Sequence, residues 1–345
     1  MTASDNTISD TLLHWYDEHA RDLPWRARPG EPAPDPYRVW LSEVMLQQTT
    51  VAAVKPYFEK FTSTWPTVDA LAAAEEAEVM GAWAGLGYYS RARNLAKCAR
   101  EVAGRGSFPD TEAELRKLPG VGDYTAAAIA AIAFERRAVV IDANVERVVA
   151  RLFDIRETLP QARKVIRARA EEITPEHRSG DFAQAMMDLG SGICTARAPK
   201  CLLCPLSAQC EGRKAGDPAE LPIKAPKKSK PERVGQAFWI ERDGHVWLVT
   251  RKGSGMLGGM RALPDDGWTA QQDGSAEPLP VGEWNRLGAV KHVFTHAALT
   301  LSVLRYEGTQ DPVEEGEWWP LDRLDEAGLP TLFAKAARLA TAQSG

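Results

Sequence analysis

No stretch of this 345-residue chain approaches the ~18 uninterrupted apolar residues of a membrane-spanning helix, and its first residues are polar and acidic where a secretory leader runs basic and then apolar. Both absences point to a soluble protein of the cytoplasm, with no membrane partner. Cysteine is scarce too, at five in the whole chain. In a reducing compartment closely spaced cysteines favour metal ligation over disulfides, which sets aside a disulfide-stapled scaffold. Nor is positive charge in excess: the net charge is −5, which at first argues against a polyanionic partner. Its distribution weakens that objection. Residues 1–189 carry 23 Lys+Arg against 28 Asp+Glu, residues 190–233 carry 9 against 4, and residues 234–345 carry 10 against 15. Positive charge is concentrated in the middle segment, and local fields rather than totals steer a phosphate backbone.

The chain is long enough, and at 44% hydrophobic apolar enough, to bury two cores. From Ile8 to about Gly192 apolar residues recur at helical spacing with few alternating β-branched runs, so this half should be all helix. After Leu221 the text turns to Pro-Ile-Lys-Ala-Pro-Lys-Lys-Ser-Lys-Pro, a solvated linker by composition. Beyond it, Gln236–Thr250 alternates around a turn at Asp243-Gly244, Val290–Tyr306 is rich in β-branched and aromatic residues, and Leu329–Ala342 reads as a closing helix. The expected organisation is multidomain: an all-α part over 1–222, a basic Pro/Lys linker over 223–233, and an α+β part over 234–345.

Chemistry is concentrated at three places. Cys194, Cys201, Cys204 and Cys210 are spaced C-x6-C-x2-C-x5-C, too ordered for unrelated buried thiols. A thiolate-only set accepts zinc or a 4Fe-4S cluster, and spacing alone does not choose. Arg197, Lys200, Arg213 and Lys214 surround it. Upstream, Leu118-Pro119-Gly120-Val121-Gly122 is a glycine hairpin leading into a helix, a turn whose N–H groups and helix N-terminus can hold one phosphate. The apolar run Ala138–Ile141 then delivers Asp142 to a helix start, where an Asp is commonly an N-cap.

Hairpin, following Asp142 and cysteine spacing together resemble the endonuclease III superfamily of helix-hairpin-helix DNA glycosylases. Three further stretches, Trp40–Thr49, Gly85–Leu95 and Gln184–Gly190, are similar to its MutY branch. The resemblance implies a helix-hairpin-helix core with a six-helix-barrel part at about 28–137. A cluster part (1–27 and 138–222) would hold a 4Fe-4S group in loop 194–210, and a MutT-like (Nudix-like) domain would follow. It also implies the partner, double-stranded DNA carrying adenine opposite 8-oxoguanine, met in the nucleoid by a monomer.

Site roles follow from the same resemblance. Lyases of the superfamily carry a lysine in the hairpin helix whose amine attacks the sugar; here Tyr124 stands there, and a phenol cannot form the imine. Simple hydrolysis to an abasic site is therefore implied. Glu43, among Val39, Trp40, Val44, Met45 and Leu46, is the expected acid, with a pKa raised by desolvation. Asp142 would face the charge of an oxocarbenium-like transition state, with Asn144 and Tyr124 beside it. Gln48 and Tyr88 would enter the emptied base stack, supported by Leu86, while Gly120, Val121, Gly122, Thr49 and Arg91 grip the DNA. Trp25, Arg26, Leu46 and Asp188 would wall the adenine. In the second domain no Arg-Glu-x-x-x-Glu-Glu signature for magnesium occurs between Met256 and Trp284. That domain should recognise rather than hydrolyse, through Phe294-Thr295-His296, where threonine replaces the family's serine. The alternatives are an endonuclease III-like lyase and a non-enzymatic iron-sulfur DNA-binding module.

Overall fold

A computed structural model describes residues 7–226, 229–252, 257–275, 282–294, 296–312 and 314–343. The chain divides into two compact units, 1–226 and 227–345. Residues up to 226 group with the first unit: the Leu159 N–H donates to Ile223 O at 2.8 Å, inside the stretch that composition reads as linker.

The first unit is helical, as its periodicity requires. In chain order come α1 (Ile8–His19), α2 (Pro36–Leu46), α3 (Val51–Thr64), α4 (Val68–Ala73), α5 (Glu76–Trp83) and α6 (Ser90–Arg105). They are followed by α7 (Glu112–Leu115), α8 (Asp123–Phe134), α9 (Ala143–Leu152), α10 (Arg163–Ile173), α11 (Ser179–Gly192) and α12 (Glu211–Ala215). Three of these position the site. Asp35 caps α2 by accepting the Tyr37 N–H at 2.7 Å, and Pro36 sits in the first turn, where its missing N–H costs nothing. Every residue of α2 from Val39 to Met45 is buried, so Glu43 is carried inside by neighbours such as Trp40 and Leu41, each 0% exposed. Burial of each large apolar side chain contributes ~1.5–3 kcal/mol, enough for several together to offset one carboxyl taken from water. The alanine-rich α8 is buried from Thr125 to Ile132, and its small side chains let it pack closely on α2 and α11. Helix α9 runs between α11 and α12.

The second unit is α+β. One three-stranded sheet has the order β1 (Glu232–Trp239), β6 (Ala298–Tyr306), β5 (Trp284–Val293), with β1 parallel and β5 antiparallel to β6. A second sheet gathers β2 (Glu241–Arg242), β3 (His245–Thr250), β4 (Arg261–Ala262) and β7 (Gly316–Pro320), the last pairing with β3. Helix α13 (Thr331–Thr341) packs on β5 and β6. The expected turn is present, with Asp243 and Gly244 both at positive φ, but it joins only the short β2 to β3. The longer β1 leaves for the other sheet, because it pairs in parallel with a strand about 60 residues on, a contact that local alternation does not encode.

Candidate active site

Glu43, Tyr124, Asp142 and Asn144 come from α2, α8 and the start of α9, 101 residues apart at the extremes, and all line one cavity of about 1010 Å³. Trp25, Arg26, Leu46, Gln48, Thr49, Gly120 and Gly122 line it too. The Tyr124 hydroxyl donates to Glu43 Oε2 at 2.7 Å. Burial pushes the Glu43 carboxyl up to about 7, against the lowering by that hydrogen bond and by Arg26, while the charge of Asp142 adds to the rise. Burial, with the neighbouring charges of Glu43 and Asp142, holds the Tyr124 phenol well above its usual range, so it remains a donor.

Asp142 is the N-cap of α9. Its Oδ1 accepts the N–H groups of Asn144 at 2.8 Å and Val145 at 2.7 Å, and its Oδ2 accepts Asn144 Nδ2 at 2.8 Å. All three bonds use the carboxylate as an acceptor, beside the positive end of a helix dipole. Asn144 is oriented in turn, since its Oδ1 accepts from Arg147 Nη2 at 2.9 Å. Gly190 of α11 lets this corner close: a Cβ there would stand 2.6 Å from Asn144 Cβ.

Asp188, Val121, Leu86, Tyr88 and Arg91 are not among the residues lining the cavity. Asp188 is buried behind the wall, accepting from Arg21 Nε at 2.6 Å and from Arg26 Nη1 at 2.8 and 2.9 Å, so it holds Arg26 rather than facing a ligand. Val121 and Leu86 are buried, whereas Gln48 and Tyr88 are exposed, Tyr88 by 57%. Arg91, expected to grip DNA, is 9% exposed, and its guanidinium donates to backbone carbonyls. In the second unit Phe294 is half-buried, stacked 5.8 Å from Trp268, and His296 is exposed; Thr295 lies outside the described residues.

The four cysteines line one small cavity with Arg151 and Arg213. Among the described residues no three His, Cys, Asp or Glu could hold a single metal ion. Their surroundings are held by Arg151, 1% exposed, which donates to Cys194 Sγ at 3.3 Å and to the carbonyls of Cys194, Thr195, Ala196 and Leu221 at 2.7–3.2 Å. Sequence reasoning missed Arg147 and Arg151, since an arginine on a helix is by default a surface residue. Their spacing of four on α9 was the available signal. Arg151→Met should leave four carbonyls without this donor and cost roughly 3–5 kcal/mol. A thermal melt should show a loss of roughly 6–20 °C; a shift under about 3 °C would show that the loop holds itself.

Comparison with known proteins places this geometry among relatives. Residues 41–176 match the HhH-GPD superfamily of base excision DNA repair proteins, and residues 236–339 match a NUDIX domain. Over 95% of the chain and 73% of the relative, it is 35% identical to human adenine DNA glycosylase. With a protein of that name from Mycolicibacterium smegmatis it shares 43% identity over 60% of this chain and 70% of the relative. Among solved structures, a thermostable thymine-DNA glycosylase superposes with a TM-score of 0.54 at 30% identity, covering 60% of this chain and 95% of that one. An endonuclease III–DNA complex gives 0.50 at 25% identity, covering 60% and 94%.

Proposed function

The chain belongs to the adenine DNA glycosylase family within the HhH-GPD base excision repair proteins, and from that premise we propose a mechanism for its hydrolysis of the bond between adenine and deoxyribose in duplex DNA. Adenine leaves poorly as an anion, so its ring needs a proton. Glu43 supplies it, at N7 of a base turned out of the helix into the cavity. A carboxyl with its pKa near 7 is about half protonated at neutral pH and increasingly so below it, and it gives up that proton at little cost. As the bond lengthens, positive charge spreads over the sugar and Asp142 faces it, its oxygens fixed by Asn144 and the α9 backbone. Water then forms a bond to C1′ of the sugar and passes its proton to the Glu43 carboxylate, which returns to its starting state as neutral adenine leaves. No lysine amine stands at position 124, so the product is an abasic site rather than a nicked strand. The observation that carries this reading is one cavity shared by a protonatable buried carboxyl and a hydrogen-bonded carboxylate.

The partner base we take to be 8-oxoguanine, read by the second unit around Phe294 and His296. The four cysteines suit a 4Fe-4S cluster: they line one cavity and offer four thiols, the ligand set such a cluster takes. When bound it would brace loop 194–210 and its basic neighbours against the phosphate backbone. The test is a set of four duplexes with adenine opposite 8-oxoguanine, guanine, cytosine and thymine. Alkali-labile sites should form with the first two and no adduct should be trapped by borohydride. Trapping of the protein on DNA, or excision only of oxidised pyrimidines, would move it to the lyase branch.

A further inference from the structure

Two loops, one of them lining the cavity, each carry an exposed side chain on strained backbone. Gln48, between α2 and α3, has φ +57°, and Tyr88, between α5 and α6, has φ +50°. A residue with a Cβ seldom adopts the left-handed region unless its surroundings impose it. Two such residues in neighbouring loops call for a common restraint.

Arg91 supplies one. From the first turn of α6 its Nη1 donates to the carbonyls of Val44 at 3.1 Å, Met45 at 3.0 Å and Gln47 at 2.5 Å, closing the C-terminal end of α2 and the residue before Gln48. Its Nη2 donates to Thr49 Oγ1 at 3.2 Å, just after Gln48, and to the carbonyls of Leu86 at 3.2 Å and Gly87 at 3.4 Å, just before Tyr88. The same guanidinium lies 5.2 Å from the Trp83 ring and 5.4 Å from the Tyr88 ring. Both loops thus hang on one planar group, and its hydrogen-bond partners are backbone carbonyls and one hydroxyl rather than a carboxylate.

The geometry points to Arg91 as a positioning residue that sets Gln48 and Tyr88 together for entry into the base stack, without touching DNA itself. This rests on the reading above, that this face opens a duplex. A lysine at 91 keeps the charge but has no fork to span both loops.

The experiment is single-turnover excision by the full chain of adenine opposite 8-oxoguanine. One duplex is fully paired; in the other the same pair is flanked by mismatches that loosen its stack. Arg91→Lys should lose roughly 100-fold on the paired duplex, the scale of an unassisted extrusion, and about fivefold or less on the loosened one. Equal losses on both would overturn the proposal and leave Arg91 as ordinary packing. Thr49→Val, which deletes one acceptor at small risk to folding, should show a weaker version of the same bias, roughly threefold to tenfold on the paired duplex. If neither variant shows the bias, the proposal fails even where Arg91→Lys is poorly folded. Tyr88→Ala separates the premise: if it excises from the paired duplex as well as the parent does, the opening of the stack by this face is wrong whatever Arg91 does.

Discussion

Glu43→Gln should lose excision by about 10²–10⁴-fold, the usual scale for removing a general acid, and should be more stable than the parent above neutral pH. The two effects have one cause. Folding raises the Glu43 pKa from 4.5 to about 7 through burial, so between those values the native state holds a proton that the unfolded chain releases. That proton's contribution to stability is fully present below about 4.5 and is lost as pH rises through 7. A glutamine keeps an oxygen for the Tyr124 hydroxyl and has no proton to lose. At ~1.4 kcal/mol per pKa unit, the variant should therefore gain up to roughly 3 kcal/mol on the parent between pH 4.5 and 8.5. Any packing cost of the amide is independent of pH, so the change in the melting-temperature difference with pH isolates the titration. It should amount to about 6–10 °C. The parent's single-turnover rate should fall about tenfold per unit above pH 7. A melting-temperature difference that stays constant from pH 5 to 8.5 would mean that Glu43 titrates like a surface carboxylate.

This pairing shows what one sequence gives away and what it withholds. The burial of Glu43 was legible, because Val39, Trp40, Leu41, Val44 and Met45 leave α2 no polar face on which to carry it outward. Its meeting with Asp142 was not. That depends on α2, α8 and α9 converging, and no local pattern states which helices touch. Asp142 was readable as a cap, and only the cavity distinguishes it from other caps such as Asp35 and Thr50. The arginines were the least legible. Arg91, Arg147 and Arg151 look like a charged helix face, yet each turns inward to bond backbone carbonyls, a role fixed by neighbouring loops rather than by periodicity. Gly190 sits in a quoted motif, but its reason, the approach of Asn144, is visible only once α9 and α11 lie side by side.

Asp142→Asn should cost at least 10²–10³-fold in excision, the scale of removing one preorganised electrostatic group, while barely changing the melt. Asparagine and aspartate are near-equal N-caps, so the two backbone bonds from Asn144 and Val145 can persist through the new amide's oxygen. The third contact cannot. Once the amide oxygen faces the backbone, the NH2 of the substituted side chain points at Asn144 Nδ2, donor against donor. Asn144 could turn only by breaking its bond from Arg147, whose Nη2 also donates to Gly190 O at 2.6 Å. The local cost is one hydrogen bond, about 1 kcal/mol, or roughly 2–4 °C in a unit of this size. Loss of charge and loss of structure are thus separated in a single variant, which Asp142→Ala does not achieve because it removes the cap as well. The Glu43 carboxyl should respond too, since the charge of Asp142 helps raise it; without that charge its pKa falls, and any residual activity should titrate at lower pH than the parent. An Asp142→Asn protein that melts within a few degrees of the parent and excises within tenfold of its rate would remove the anion from the mechanism.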